Sequence, residues 1–178
     1  MDLFEAFKER YSYRGAFKNS PVPQADLERI VQAGLDAPSG GNRQTTQFVI
    51  IDDADVVAKV KAAFKDQPFV VTAPAFIAAI VDTDPKPYRE GGYSFVLEDC
   101  SAAIQNILLA ITGLGYASVW LDGVLRSENR AQKIGEAIGL PASKKVQVIL
   151  PVGVPQENLP HREKLPFKER AWFNRYEG

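Results

Sequence analysis

The chain has 178 residues, 46% of them hydrophobic and 24% charged, which is enough apolar material for one compact domain with a sizeable core. A formal net charge of −1 and a sequence pI near 5.9 give no general field for a polyanion, so nucleic-acid binding is not expected. One cysteine, Cys100, and one histidine, His161, exclude an intramolecular disulfide and a multi-histidine metal site within one chain. Residues 1–5 contain no basic region leading into an apolar run, so no export signal is read there and the expected compartment is the cytoplasm.

Asp2 is placed to cap a first helix whose apolar side carries Leu3, Phe4 and Phe7 and which ends near Arg10. Arg10, Ser12 and Arg14 then alternate within Arg10-Tyr11-Ser12-Tyr13-Arg14. An extended backbone there points two guanidiniums and a hydroxyl to one side, with the arginines ~6.6 Å apart and within reach of one phosphate. Solvated strands and helix ends have the same mixture of residues, so the pentapeptide alone leaves a ligand role and a surface role both open.

Pro23 suits the start of a second helix, in which Leu27, Ile30, Val31 and Gly34 recur at helical spacing. It breaks at a polar loop, Ala37-Pro38-Ser39-Gly40-Gly41-Asn42-Arg43-Gln44, where two glycines remove side-chain bulk. Ser39, Asn42 and Gln44 offer donors and acceptors suited to a heterocycle or a polyol, although ordinary surface loops share this composition. Residues 47–51 read as a strand, and Asp53 opens a third helix carrying Val56, Val57, Val60 and Phe64. Residues 75–81 form a buried strand, and residues 82–92, with Pro85, Pro87, Gly91 and Gly92, are the expected mobile loop.

A long helix over residues 93–112, a strand over 116–121, a helix over 127–138 closed by Gly139, and a strand over 145–154 complete the core elements. The uncharged run 101–121 is interrupted by Gln105, Asn106, Thr112, Gly113, Gly115 and Ser118. Its helix, counted from Leu97 to about Gly113, covers ~24 Å against a hydrocarbon core of ~30 Å, so it is read as a buried helix and a strand rather than a membrane span. Beyond Pro155 the chain is rich in proline and charge yet ends with Trp172, Phe173 and Tyr176, which are expected to dock on the chain's own core or on a partner subunit.

No nucleophile elbow or Walker sequence is present. A Cys-His pair would have to join a helical Cys100 to His161 in a proline-rich tail, so an enzyme with this sequence is expected to rely on an organic cofactor.

Four segments in order resemble the nitroreductase family of FMN-dependent oxidoreductases over nearly the whole chain. They are Arg10-x-Ser12-x-Arg14, the loop 37–44, the helix Glu98-Asp99-Cys100 onward leading through Gly113-Leu114-Gly115 to Trp120-Leu121-Asp122-Gly123, and Pro151-Val152-Gly153-Val154-Pro155 with its basic tail. The resemblance implies an α+β fold, residues 1–178 forming a single domain with a mostly antiparallel central sheet flanked by helices, in an intertwined homodimer with FMN at the interface. It implies that Arg10 and Ser12 bind the FMN phosphate together with Arg162 and Lys164, which precede Leu165-Pro166. Arg14 would reach the ribityl chain or the pyrimidine edge, and Gln67 the pyrimidine ring. Pro38, Ser39, Gly40 and Asn42 would address the flavin from the second subunit, and the backbone of Asp122 and Gly123 would approach it near N5.

The implied reaction passes hydride from NADH or NADPH through FMN to a small electron-poor acceptor: a nitroaromatic, quinone, enone or flavin. The rival within the same fold is an FMN-binding storage or regulatory module without robust NAD(P)H turnover. Gln44-Thr45-Thr46, standing where many relatives have Gln-Pro-Trp, and a shorter chain both fall where substrate access is set, so acceptor and nicotinamide preference stay open.

Overall fold

The computed structural model describes residues 1–64, 67–90 and 92–178. Its centre is β2 (Ala75–Asp82), flanked by β1 (Gln47–Ile51) and β3 (Lys144–Val152) in an antiparallel sheet of order β1-β2-β3. The continuous apolar run of β2 is that of a strand covered on both faces, and its two-residue period divides it between two cores. Ala75, Ile77, Ala79 and Val81 join the core made with α2 (Gln24–Leu35) and α5 (Val96–Gly113). Phe76, Ala78 and Ile80 join the other, made with α3 (Ala54–Ala62), α4 (Pro68–Val71) and α6 (Arg130–Ala137). Helices therefore cover both faces of one sheet.

In β3 the pairing jumps from Ala79↔Val148 to Ile80↔Val146, leaving Gln147 as an extra residue. This bulge reverses the facing pattern, so Val146 and Ile149 both enter the α3/α6 core despite their odd spacing. On the opposite face, α2 and α5 approach closely at Gly34, where a Cβ would stand 2.7 Å from Ile107. The first helix, α1 (Leu3–Glu9), is closed by a capping box in which Asp2 and Glu5 each accept the other's backbone N–H. Only Ala6 of α1 is buried, and the expected apolar side, Leu3, Phe4 and Phe7, stays exposed.

Several expected boundaries move. Residues 116–121 form no continuous strand: Ala117 bridges to Gly153 and Leu121 to Ile149, while the Ser118 carbonyl between them accepts the Tyr13 N–H, so no single partner carries a ladder. The long helix begins at Val96 rather than residue 93 because Phe95 is left-handed, with φ 46°. Likewise α6 begins at Arg130 rather than residue 127, because Glu128 and Asn129 have φ of 54° and 55°. β3 ends at Val152, after which the Val154 carbonyl accepts from Lys18 N. α4 was not expected, since one turn is too short to show a helical period. Within the stretch expected to be mobile, Gly91 lies outside the described residues, and the carbonyls of Lys86 and Pro87 accept from the Arg43 guanidinium at 3.2 and 2.9 Å.

At the tail, Trp172 packs edge-on against Tyr176 and Phe167 lies tilted against Phe173, yet Phe173 and Tyr176 remain exposed. Among the described residues no helix is long and apolar enough to cross a membrane.

The α2/α5 contact yields a stability prediction. Ile107→Ala should cost about 2–5 kcal/mol, and Gly34→Ala about 1–3 kcal/mol through overpacking. Since both changes act on one contact, urea unfolding of the double variant should show a loss smaller than their sum.

Candidate functional site

The ends of the chain meet because residues 13–18 run against residues 153–156. Lys18 N donates to the Val154 carbonyl and Gln156 N to the Ala16 carbonyl, each at 2.9 Å, and Phe17 bridges to Pro155. Tyr13 locks this junction. Its ring is fully buried, its hydroxyl donates to the Ala16 carbonyl and accepts from Gln156 N at 3.2 Å, and its own N–H donates to the Ser118 carbonyl at 2.9 Å.

With Tyr13 facing inward, Ser12 and Arg14 face out, as the alternation requires, and Arg10 is extended at φ −65°, ψ 119°. Between this stretch and the tail lies a cleft of about 1120 Å³. Arg10, Ser12 and Arg14 form one wall, and Arg162 and Lys164 belong to the other, so these five expected residues share one space. Lys8 adds a further cation, against the carboxylates of Glu9 and Glu163. Among the described residues none of these cations has an acidic partner within ion-pair distance, and Arg14 Nη1 donates only to the Ser12 carbonyl, at 3.4 Å. Tyr11 departs from the alternation: it also lines the cleft, where its ring lies on His161 with centroids 4.1 Å apart and planes at 31°.

Pro38, Ser39, Gly40 and Asn42 do not line this cleft. Their loop is fastened to the first turn of α5 by Asp99, a buried carboxylate that accepts Gly40 N–H at 2.8 Å and the Thr45 hydroxyl at 2.7 Å. Ser39 Oγ accepts Gln44 N–H at 2.9 Å. Space left by the two glycines is taken by the chain's own rings: a Cβ on Gly40 would fall 2.8 Å from Phe95, and Gly41 packs under Tyr88 with φ 60°. These glycines are thus required by packing within the chain, and the openness expected of the loop is not seen at that point.

Asp122 precedes a 3-10 turn, Gly123–Arg126, and its carboxylate is held by Arg126 at 3.1 Å. Gly123 is open, with no heavy atom within 4 Å of a notional Cβ. The turn is braced from behind by the buried Arg130, which donates to the carbonyls of Val124 and Ala63 and to Ser127 Oγ. Gln67 stands at the start of α4, where its carbonyl accepts from Val70 and Val71, and is outside the cleft lining.

Burial first, then the negative charges of Asp122 and Asp99, push the Cys100 thiol up to about 11, which leaves it protonated and unreactive. Sequence reasoning missed Asp99, Thr45, Tyr11 and His161 as organisers. Asp99 has the signature of any acid in a first helical turn, and the Tyr11–His161 pair joins residues with no local relation.

Two predictions follow from this geometry. Asp99→Ala should destabilise the chain by about 2–5 kcal/mol, since hydrogen bonds to a charged group are worth roughly 1.5–3 kcal/mol each. Amide exchange should accelerate at Gly40 while Tyr13, whose N–H is held by the Ser118 carbonyl, keeps its protection. Tyr116, whose hydroxyl donates to Asp26 at 2.6 Å, is pushed up to about 12 by that bond, by burial and by the charge of Asp26. Both Tyr116 and Cys100 keep their protons in the folded chain at pH values where the unfolded chain ionises. Stability should therefore be intact below about pH 9 and decline as pH rises toward about 12, and Cys100→Ala with Tyr116→Phe should flatten the decline in urea titrations.

A model of the nitroreductase family matches residues 7–79 and 60–154 of the chain. A protein of Archaeoglobus fulgidus, provisionally named an NADH dehydrogenase/NAD(P)H nitroreductase, is 34% identical over 155 residues, spanning 86% of this chain and 87% of its own length. Among solved structures, an FMN-dependent nitroreductase of Clostridium difficile R20291 superposes with a TM-score of 0.78 at 26% identity, covering 97% of this chain and 99% of that one. Nitroreductase A of Vibrio parahaemolyticus gives 0.81 at 26% identity, covering 100% of this chain and 78% of that one. With a family match across most of its length and the same fold in these structures, the chain belongs to the nitroreductase family of oxidoreductases.

Proposed function

We propose that this protein is an FMN-dependent oxidoreductase that takes hydride from NADH or NADPH and delivers it to a small electron-poor acceptor. The observation that carries the proposal is the meeting of Arg10, Ser12 and Arg14 with Arg162 and Lys164 in one cleft. The donor set suits a phosphate: guanidinium forks, an ammonium and a hydroxyl, none engaged by a carboxylate within ion-pair distance among the described residues. FMN in the name of the Clostridium difficile relative and NAD(P)H in that of the Archaeoglobus fulgidus relative support the choice of cofactor and donor.

When bound, FMN would supply the redox chemistry of hydride transfer between the nicotinamide and the acceptor. Arg10, Ser12, Arg162 and Lys164 hold the phosphate through charge-assisted hydrogen bonds of roughly 1.5–3 kcal/mol each, less where solvent screens them. Arg14, adjoining them, presents a fixed positive charge to the ribityl chain or the pyrimidine edge, where it favours the negative charge gained on reduction. Gly123 leaves its backbone unobstructed for the flavin. The Asp122 carboxylate is tied to Arg126 and is given no acid–base role; the acceptor's proton would come from water.

A homodimer follows from the same reading. Pro38, Ser39, Gly40 and Asn42 lie outside the cleft of their own chain, so a role for them at a ligand there would have to be supplied by a second copy. Exposed Leu3, Phe4, Phe7, Phe173 and Tyr176 supply the apolar surface for that association.

Purified protein should be yellow or become so with FMN, and should bleach under anaerobic NADH or NADPH; persistent colour with both donors would mark a storage or regulatory module instead. Arg14→Ala should bind FMN more weakly and be reduced more slowly in anaerobic stopped flow. Unchanged reduction at saturating FMN would remove its electrostatic role. The double variant Arg162→Ala/Lys164→Ala should weaken FMN at least ~10-fold by fluorescence titration.

A further inference from the structure

We infer that Tyr11 and His161 form an aromatic latch that positions Arg162 and Lys164 and thereby sets preference for a phosphorylated flavin over an unphosphorylated one. The inference rests on the reading that the cleft holds the phosphate of FMN, and concerns what places two of its walls. The junction that joins the chain ends stops at Gln156, whose N–H is bound to Ala16 and Tyr13. From residue 157 to residue 165 the chain makes no backbone–backbone hydrogen bond among the described residues, and every residue from 160 to 165 is exposed. An unpaired, exposed segment of this kind has no intrinsic reason to hold two cations in place.

Two side-chain contacts fill the gap. Leu159 packs against the α3/α6 core, and His161 stacks on Tyr11 at 4.1 Å. Leu159 fixes where the tail leaves the core, five residues before Lys164. His161 is the immediate neighbour of Arg162, and Tyr11 sits between Arg10 and Ser12, so the stack joins the two cationic walls directly. A histidine and a tyrosine at this spacing shift a local open–closed equilibrium by roughly three- to tenfold. The latch does not touch the phosphate: its members are positioning residues, and the chemistry of the grip belongs to Arg10, Ser12, Arg162 and Lys164.

Riboflavin, which shares the ring and ribityl chain of FMN but lacks the phosphate, isolates the effect. His161→Ala should weaken FMN about three- to tenfold in fluorescence titration and leave riboflavin within about twofold. Tyr11→Leu should do the same from the opposite side, and His161→Phe should restore the wild-type ratio by restoring the stack. In the cofactor-free full chain, trypsin should cut after Arg162 and Lys164 faster in His161→Ala than in the wild type or His161→Phe. An unchanged FMN-to-riboflavin ratio in His161→Ala, equal loss for both flavins, failure of His161→Phe to rescue, or unaltered proteolysis would each overturn the latch. Failure of the underlying reading looks different: Arg162→Ala/Lys164→Ala would then leave the FMN-to-riboflavin ratio unchanged. If that ratio collapses while His161→Ala does not alter it, the phosphate reading stands and the latch alone falls.

Discussion

The hydrogen bonds around the buried Tyr13 are the constraint on which the rest of the proposed site depends. This one residue accepts from Gln156, 143 residues away, and donates to Ala16 through its hydroxyl, and its backbone N–H donates to the Ser118 carbonyl. Three remote stretches are thereby referred to a common origin. A phenol in a dry interior must have partners for its hydroxyl, and here the available partners are groups of the two chain ends. Arg10, Ser12 and Arg14 then face outward because Tyr13 faces inward, and the tail begins where it can return across them.

The sheet provides the rigid reference for this junction. β2 is buried on both faces and paired on both edges, and the neighbouring β3 leads directly into Gly153, Val154 and Pro155. Its bulge at Gln147 shifts which residues of β3 face each of the two cores. On the far side, Asp99 carries the 38–46 loop on α5, the helix that also bears Ile104 and Ile107 of the α2/α5 core. The two groups of expected ligand residues are thus mounted on the same framework, in separate places on one chain.

Much of this was legible in the residues, and the failures have identifiable causes. Helix α2 and strand β2 appear with the expected residues buried, because their apolar spacing is dictated by the faces they present to the cores; α3 buries Val57 and Val60 but Val56 only partly, with Phe64 buried just beyond its end, and β1 buries only Ile51. Boundaries failed where isolated residues took left-handed conformations, at Phe95, Glu128 and Asn129, none of them glycine. The 116–121 segment failed for another reason: its composition is strand-like, but its hydrogen bonds are divided among Tyr13, Ile149 and Gly153. Alternation alone foretold the outward set Arg10, Ser12 and Arg14, whereas Arg162 and Lys164 came from family resemblance. Asp99 was hidden because an acid at a helix start ordinarily serves the helix, and its use by Gly40 and Thr45 is a tertiary fact.

The junction between residues 13–18 and 153–156 also has a bearing on the order in which the molecule is assembled. Contacts this remote in sequence carry a loop-closure cost, which pairing of β2 with β3 lowers by ordering the chain that leads into residues 153–156. During synthesis Arg10 and Arg14 emerge about 150 residues before Arg162 and Lys164. On the proposed reading, a growing polypeptide lacks the full set of phosphate ligands until residues 162–164 have emerged and folded back.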